Sequence, residues 1–177
     1  MTKQSSLMLL AGPPGAGKTA VAHHLATTAD RPTVHVPTDQ LYLWIKAGYV
    51  VPYLPEAASQ NAVIERVMVA LAREYLAGGY DVILEGILGP WALPAFAALD
   101  YTYIVLRPSL TVALGRATAR GPGALTIIEP IKGLYRAFEH LGDREACVID
   151  SSTLTIAETA EAVRHRDGRP THRPPRG

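Results

Sequence analysis

The 177-residue chain holds a single cysteine, Cys147. One thiol excludes an internal disulfide and suits a reducing compartment, so a cytoplasmic protein is expected. Long hydrophobic runs are absent. No apolar stretch approaches the ~18 residues of a membrane span, so no membrane partner is expected. The apolar stretch Leu7–Ala11 is too short for a secretory signal. A large net charge is also missing, with 17 Lys and Arg against 16 Asp and Glu. That near-neutrality conceals a split. Residues 1–163 carry 12 basic and 15 acidic side chains, a balance of −3, whereas residues 164–177 carry five arginines and one aspartate, a balance of +4. An acidic body lacks the phosphate-neutralising surface on which nucleic-acid affinity rests, so nucleic acid is an unexpected partner.

What is present is an ordinary globular composition, 48% hydrophobic and 19% charged, at a length of about one domain. Two kinds of segment alternate. Apolar runs at Ser6–Ala11, Thr33–Val36, Tyr80–Leu84, Tyr101–Leu106 and Ala146–Ile149 read as buried strands. Between and after them lie helical patterns at Thr19–Ala26, Asp39–Lys46, Glu56–Ala77, Pro90–Leu99, Ser109–Ala119, Pro130–His140 and Ile156–His165. In the longest, Val63, Val67, Ala70, Leu71 and Tyr75 form the expected core-facing stripe. Gly78-Gly79 stops that helix. Ser109 is placed to cap one helix, and Thr155 with Glu158 to form a capping box on the last. The alternation implies right-handed crossovers and a mainly parallel sheet covered on both faces. The body spans 1–166, and residues 167–177 read as a disordered basic tail.

One motif carries chemistry outright. Gly12-Pro13-Pro14-Gly15-Ala16-Gly17-Lys18-Thr19 fits G-x-x-x-x-G-K-[ST] in full, directly after an apolar strand and opening a helix. In such a phosphate-binding loop (P-loop), the glycines let backbone N–H groups curl toward phosphates, and the helix N-terminus adds roughly half a positive charge. Lys18 reaches the β- and γ-phosphates and Thr19 offers its hydroxyl to Mg²⁺. The D-x-x-G and N-K-x-D signatures of GTPases are both missing.

Other candidates follow from position. Asp39 comes after the second strand, at the sheet end that faces the ligand crevice. A carboxylate there accepts the proton of an acceptor hydroxyl as general base, or caps the helix with Thr38. Glu85 ends the third strand, as a Mg²⁺-side carboxylate or an acceptor-binding group. Trp91 then walls the acceptor pocket. Arg116 and Arg120 lie four apart on one helix face before Gly121-Pro122-Gly123, which reads as a lid at about 116–130 carrying arginines over the transferring phosphoryl group. Lys132, Tyr135 and Arg136 are weaker basic or polar candidates. Tyr42 and Trp44 either stack on an acceptor or join the core. Cys147 reads as inert core, and His23 and His24 as surface or packing residues.

The P-loop, Thr38-Asp39, Leu84-Glu85-Gly86 and Arg116-x-x-x-Arg120-Gly121 together resemble the small P-loop kinases of the chloramphenicol phosphotransferase-like group. That group is related to gluconate, shikimate and adenylylsulfate kinases, zeta-type toxins and polynucleotide 5′-kinases. The similarity runs loosely from Leu7 to Val163 and includes Tyr135-x-x-x-Glu139 and Ile149-Asp150-Ser151-Ser152. It implies an α/β/α P-loop NTPase fold with a five-stranded parallel sheet in order 2-3-1-4-5, ATP·Mg²⁺ as donor, and Asp39 as base. It implies Arg116 near the adenine, Arg120 near the phosphates, and Ser151–Thr153 lining the adenine pocket. One departure is that the chloramphenicol enzyme has paired aspartates after its third strand, where this chain has only Glu85.

The expected function is ATP-dependent transfer of the γ-phosphate to a hydroxyl of a small molecule, an antibiotic or a nucleoside- or sugar-like metabolite. Lys18 and Arg120 stabilise the transferring group, and Asp39, Tyr42, Glu85, Trp91 and Arg136 surround the acceptor. The alternatives are a polynucleotide 5′-hydroxyl kinase and a non-catalytic nucleotide-binding switch or toxin-type protein.

Overall fold

A computed structural model describes residues 4–119, 125–166 and 171–174. The elements are β1 (Leu7–Ala11), α1 (Lys18–Thr27), β2 (Thr33–Pro37), α2 (Asp39–Leu43), α3 (Ala58–Ala77), β3 (Asp81–Gly86), β4 (Thr102–Leu106), α4 (Leu110–Thr118), α5 (Ile128–Arg136), β5 (Val148–Ile149) and α6 (Ile156–Arg166). Three short 3₁₀ segments, Pro55–Ala57, Pro90–Phe96 and Gly142–Cys147, join them. The strands form one parallel sheet in the order β2-β3-β1-β4-β5, as the resemblance implies.

The sheet is buried on both faces, which is why its strands read as unbroken apolar runs. Successive side chains on β1 divide between two clusters. Leu7, Leu9 and Ala11 join Val82, Leu84, Tyr103 and Val105 beneath Ile64, Met68 and Ala72 of α3. Met8 and Leu10 join Ile83, Ile104 and Leu106 beneath Val21 and Leu25 of α1 and Ala160 and Val163 of α6. The same period of two sends Glu85 and His35 to the α1 face, opposite Leu84 and Val36.

Several expectations shift. The buried face of α3 is Ile64, Met68, Val69 and Ala72, while Val63, Val67, Ala70 and Tyr75 are exposed. Both stripes are apolar, so the choice between them is made by the sheet underneath and not by helix periodicity. Strand β3 runs on through Glu85 and Gly86, because β1 and β2 continue to pair with it on either side. The segment after β3 is 3₁₀ and not a regular helix, since Pro94 inside it has no N–H to donate. Helix α2 stops at Leu43, three residues early, and the Ile45 amide turns back to the Tyr42 carbonyl. Helix α5 ends at Arg136, and Phe138 and Glu139 make tighter i→i−3 bonds beyond it. Cys147 is buried but ends a 3₁₀ turn, one residue before β5.

The helix ends behave as expected. Gly79 takes φ +88, and the Gly79 and Tyr80 amides close on the Leu76 and Tyr75 carbonyls. Thr155 and Glu158 form the reciprocal capping box, with bonds of 2.8 and 3.2 Å.

Part of the expected tail is ordered against the sheet. His172 pairs antiparallel with Tyr101, Thr171 N–H donates to the Tyr101 carbonyl at 2.9 Å, and Tyr103 N–H donates to Thr171 Oγ1 at 2.8 Å. The imidazole stacks on the Tyr101 ring at 4.9 Å. The physical reason is an open edge. Strand β5 pairs with β4 only at Val105 and Leu106, which leaves the first half of β4 for another partner. The other residues of 167–177 lie outside the described residues.

Candidate active site

The P-loop connects β1 to α1, and residues 12–16 and Lys18 are buried. Gly15 has φ +78, and a Cβ there would overlap the Ala113 carbonyl, so the close approach of α4 demands glycine. Gly17 is the N-cap of α1 at φ +90, and no side chain caps that end among the described residues. No acidic residue stands in the first turn either. The first-turn amides and the positive end of α1 therefore face the loop, an arrangement suited to a phosphate. Lys18 Nζ donates to the Pro13 carbonyl at 2.9 Å.

Glu85 stands beside this loop. It is 4% exposed and rises from β3 between Leu10 of β1 and Pro37 of β2. Burial alone would raise its carboxyl, but the His35 ring, Lys18 and the Thr19 hydroxyl hold it below the usual value. It is therefore an anion at neutral pH. His35 Nε2 lies 3.7 Å from Glu85 Oε1. With Gly17, Thr19, Ala20 and His23, His35 also lines a cavity of about 560 Å³ next to the P-loop. Sequence reasoning missed His35, because a single imidazole in an apolar strand has no periodic signature. Its place two residues before Pro37-Thr38-Asp39 was the available signal.

Asp39 opens α2, and the preceding Thr38 amide donates to the Glu85 carbonyl at 2.9 Å. Thr38 makes no side-chain capping bond among the described residues. Tyr42, one turn after Asp39, is half-buried against the α3-side core, which accounts for part of its ring. Its hydroxyl is pushed up to about 12 by burial, then by Glu65, Asp39 and Tyr49. Glu65 of α3 is itself raised by burial and was not foreseen. The cluster Asp39, Tyr42, Tyr49 and Glu65 offers acceptor oxygens and hydroxyls to a polar ligand. Trp44, 65% exposed, follows α2. Trp91 is 53% exposed and packs edge-on against Phe138 at 5.7 Å, and Arg136 is exposed at the end of α5.

On the other side of the loop, buried Ser151 donates from Oγ to the Ala16 carbonyl at 3.4 Å. Arg116 Nη2 donates to the Ser151 carbonyl at 3.2 Å. The structure thus brings Arg116, Ser151 and the P-loop together, while Thr153 is exposed nearby in the chain. Arg120 and the lid residues 121–124 lie outside the described residues. Arg107, which sequence reasoning passed over, pairs bidentately with Glu145 at 3.0 and 2.8 Å and holds the Glu145 carboxyl at about 2.

A family model described as AAA domain matches residues 7–121. That stretch covers most of the chain, from β1 past Arg116. The chain belongs to the AAA domain family. A search of curated proteins finds no match. Among solved structures, this AAA domain protein is similar to a Deinococcus radiodurans tunicamycin resistance protein, with a TM-score of 0.69 and 18% identity over 96% of this chain and 99% of that one. A Janibacter sugar kinase gives 0.66 and 16%, over 92% and 94%. A shikimate kinase from Acinetobacter baumannii, solved with shikimate, gives 0.62 and 20%, over 91% and 92%. At these identities the likeness is one of fold, the P-loop NTPase α/β/α sandwich. No described helix is long and apolar enough to cross a membrane.

Proposed function

We propose that the protein is an ATP-dependent O-phosphotransferase acting on a hydroxyl of a small molecule, an antibiotic or a nucleoside- or sugar-like metabolite. The observation that carries this reading is the hydrogen bond from the Thr38 amide to the Glu85 carbonyl, which sets Asp39 level with the carboxylate beside Lys18 and Thr19. The P-loop kinase-like fold and its likeness to a sugar kinase and a shikimate kinase support it.

The residues present fit a nucleotide and its Mg²⁺. The α1 N-terminus is glycine-rich and has no side-chain cap among the described residues, and Glu85 is a buried anion next to the Thr19 hydroxyl. Thr19 and Glu85 would hold Mg²⁺, which when bound neutralises charge on the phosphate oxygens. The amides of Gly12–Thr19 and the Lys18 ammonium bind the phosphates. Arg116, Ser151 and Thr153 bound the adenine side. Asp39 takes the proton of the acceptor hydroxyl while its oxygen attacks the γ-phosphorus, and the bridging oxygen departs with ADP. Lys18 and Arg120 stabilise the charge on the transferring group. Tyr42, Glu85, Trp91 and Arg136 face the acceptor.

Asp39→Asn tests the reading. Transfer to a screened hydroxyl compound, followed as the mass gain of one phosphate, should fall by about 10²–10⁴-fold with ATP affinity preserved. Turnover near wild type in that variant would remove Asp39 as base. ATP binding without transfer to any hydroxyl compound would favour the nucleotide-binding switch.

A further inference from the structure

We infer that His35 is a positioning residue for Glu85, holding one carboxylate oxygen from the β2 side so that the other is presented to Thr19 and the Mg²⁺ ion. The inference rests on the proposed role of Glu85. Three observations carry it. His35 Nε2 approaches Glu85 Oε1 to 3.7 Å, and both side chains are nearly inaccessible, at 13% and 5% exposure. That nitrogen is buried and makes no hydrogen bond among the described residues, so the contact is longer than a hydrogen bond and has room to close. The ring also lines, with Gly17 and Thr19, the cavity next to the P-loop.

Charge balance gives the contact a purpose. A buried carboxylate needs partners, and His35, Lys18 and Thr19 are the groups that favour the Glu85 anion among the described residues. When a nucleotide binds, the Lys18 ammonium is directed to phosphate oxygens and its share for Glu85 falls. His35 is anchored on a strand and stays. Its neighbour on α1 is His23, with ring centroids 6.5 Å apart and the planes tilted by 58°. Outer groups that orient a metal-binding carboxylate change metal affinity without touching the metal.

The test is equilibrium binding of a fluorescent ATP analogue over a Mg²⁺ series, compared for wild type, His35→Leu, His35→Gln and Glu85→Gln. His35→Leu should raise the Mg²⁺ concentration at half-effect by about 10-fold or more, the usual scale for loss of such a group, with unchanged affinity in EDTA. His35→Gln, whose amide nitrogen reaches the place of Nε2, should restore most of the wild-type Mg²⁺ response. If Glu85→Gln responds to Mg²⁺ like wild type, the role of Glu85 itself is wrong. If Glu85→Gln is impaired but His35→Leu is not, or His35→Gln is as impaired as His35→Leu, the positioning role of His35 is wrong. Thermal melts accompany each variant. Should His35→Leu fail to fold, His35→Asn, polar but too short to reach Glu85, takes its place with the same two outcomes.

Discussion

The Thr38 hydroxyl lies over the α-carbon of Gly86, in the space a Cβ would need. The Thr38 amide meanwhile donates to the Glu85 carbonyl. The end of β2 and the end of β3 are thus locked at one level, and α2 begins there with Asp39. This lock is steric as well as hydrogen-bonded, and it gives the first prediction.

Gly86→Ala should destabilise the fold by about 1–3 kcal/mol, the usual cost of forcing atoms into a packed site. Thr38→Ala removes the obstructing hydroxyl, so the double variant should lose less than the two single changes added together. Urea unfolding of all four proteins gives the coupling; strict additivity would mean that the two residues do not compete for space.

Lys18→Ala should lower affinity for an ATP analogue by at least about 10-fold, since an ammonium close to phosphate contributes a charge-assisted bond of roughly 1.5–3 kcal/mol. Calorimetric titration measures it. Lys18 is buried, so the melting temperature must be read alongside. A stable variant that binds nucleotide as tightly as wild type would contradict the phosphate-binding role of the loop.

Ending the chain at Arg166 should lower stability by about 1–3 kcal/mol, from backbone bonds worth roughly 0.5–1.5 kcal/mol each and the stacked ring pair. These are the Thr171 and His172 contacts to Tyr101 and Tyr103. The exposed half-edge of β4 should also promote self-association on gel filtration. Phosphotransfer per folded molecule should be unchanged, because the contacts lie at the start of β4, away from the P-loop end. Identical unfolding curves for the two lengths would show that the strap contributes nothing.

Glu145 supplies a pH prediction. Its carboxyl is lowered from 4.5 to about 2 by Arg107 and the Leu141 amide. A carboxyl lower in the folded state than in the unfolded state adds stability above about pH 4.5, and that stability is lost as pH falls toward 2. Wild type and Glu145→Gln should therefore differ in urea midpoint at pH 7 and converge between pH 4.5 and 2. A difference that persists at pH 2 would assign the effect to shape and not to charge. The pair is partly exposed, so the difference at pH 7 should be modest and should shrink in salt.

Much of this arrangement is legible in the amino-acid sequence. The phosphate-binding loop is eight contiguous residues whose conformation is local, and its glycines carry their own backbone reasons. The five strands were legible because parallel strands buried on both faces lose polar alternation. The capping box at Thr155 and Glu158 was equally local. Helix α3 was misread by one residue of rotation. Val63 and Val67 are as apolar as Ile64 and Met68, and only contact with the sheet separates the two faces.

By itself the amino-acid sequence determined the order of strands and helices, the phosphate loop between the first two, and the presence of Asp39 and Glu85 after their strands. These follow from local patterns of hydrophobicity, glycine and charge. The tertiary structure alone decided which groups share a site. His35 and Glu85 meet because β2 and β3 lie side by side with both residues on the α1 face, and Arg116 meets Ser151 because α4 packs against the segment after β5. It also decided that Thr171 and His172 complete the β4 edge. Such pairings depend on strand register and helix rotation, which are set by burial of the whole core and by no single stretch of chain.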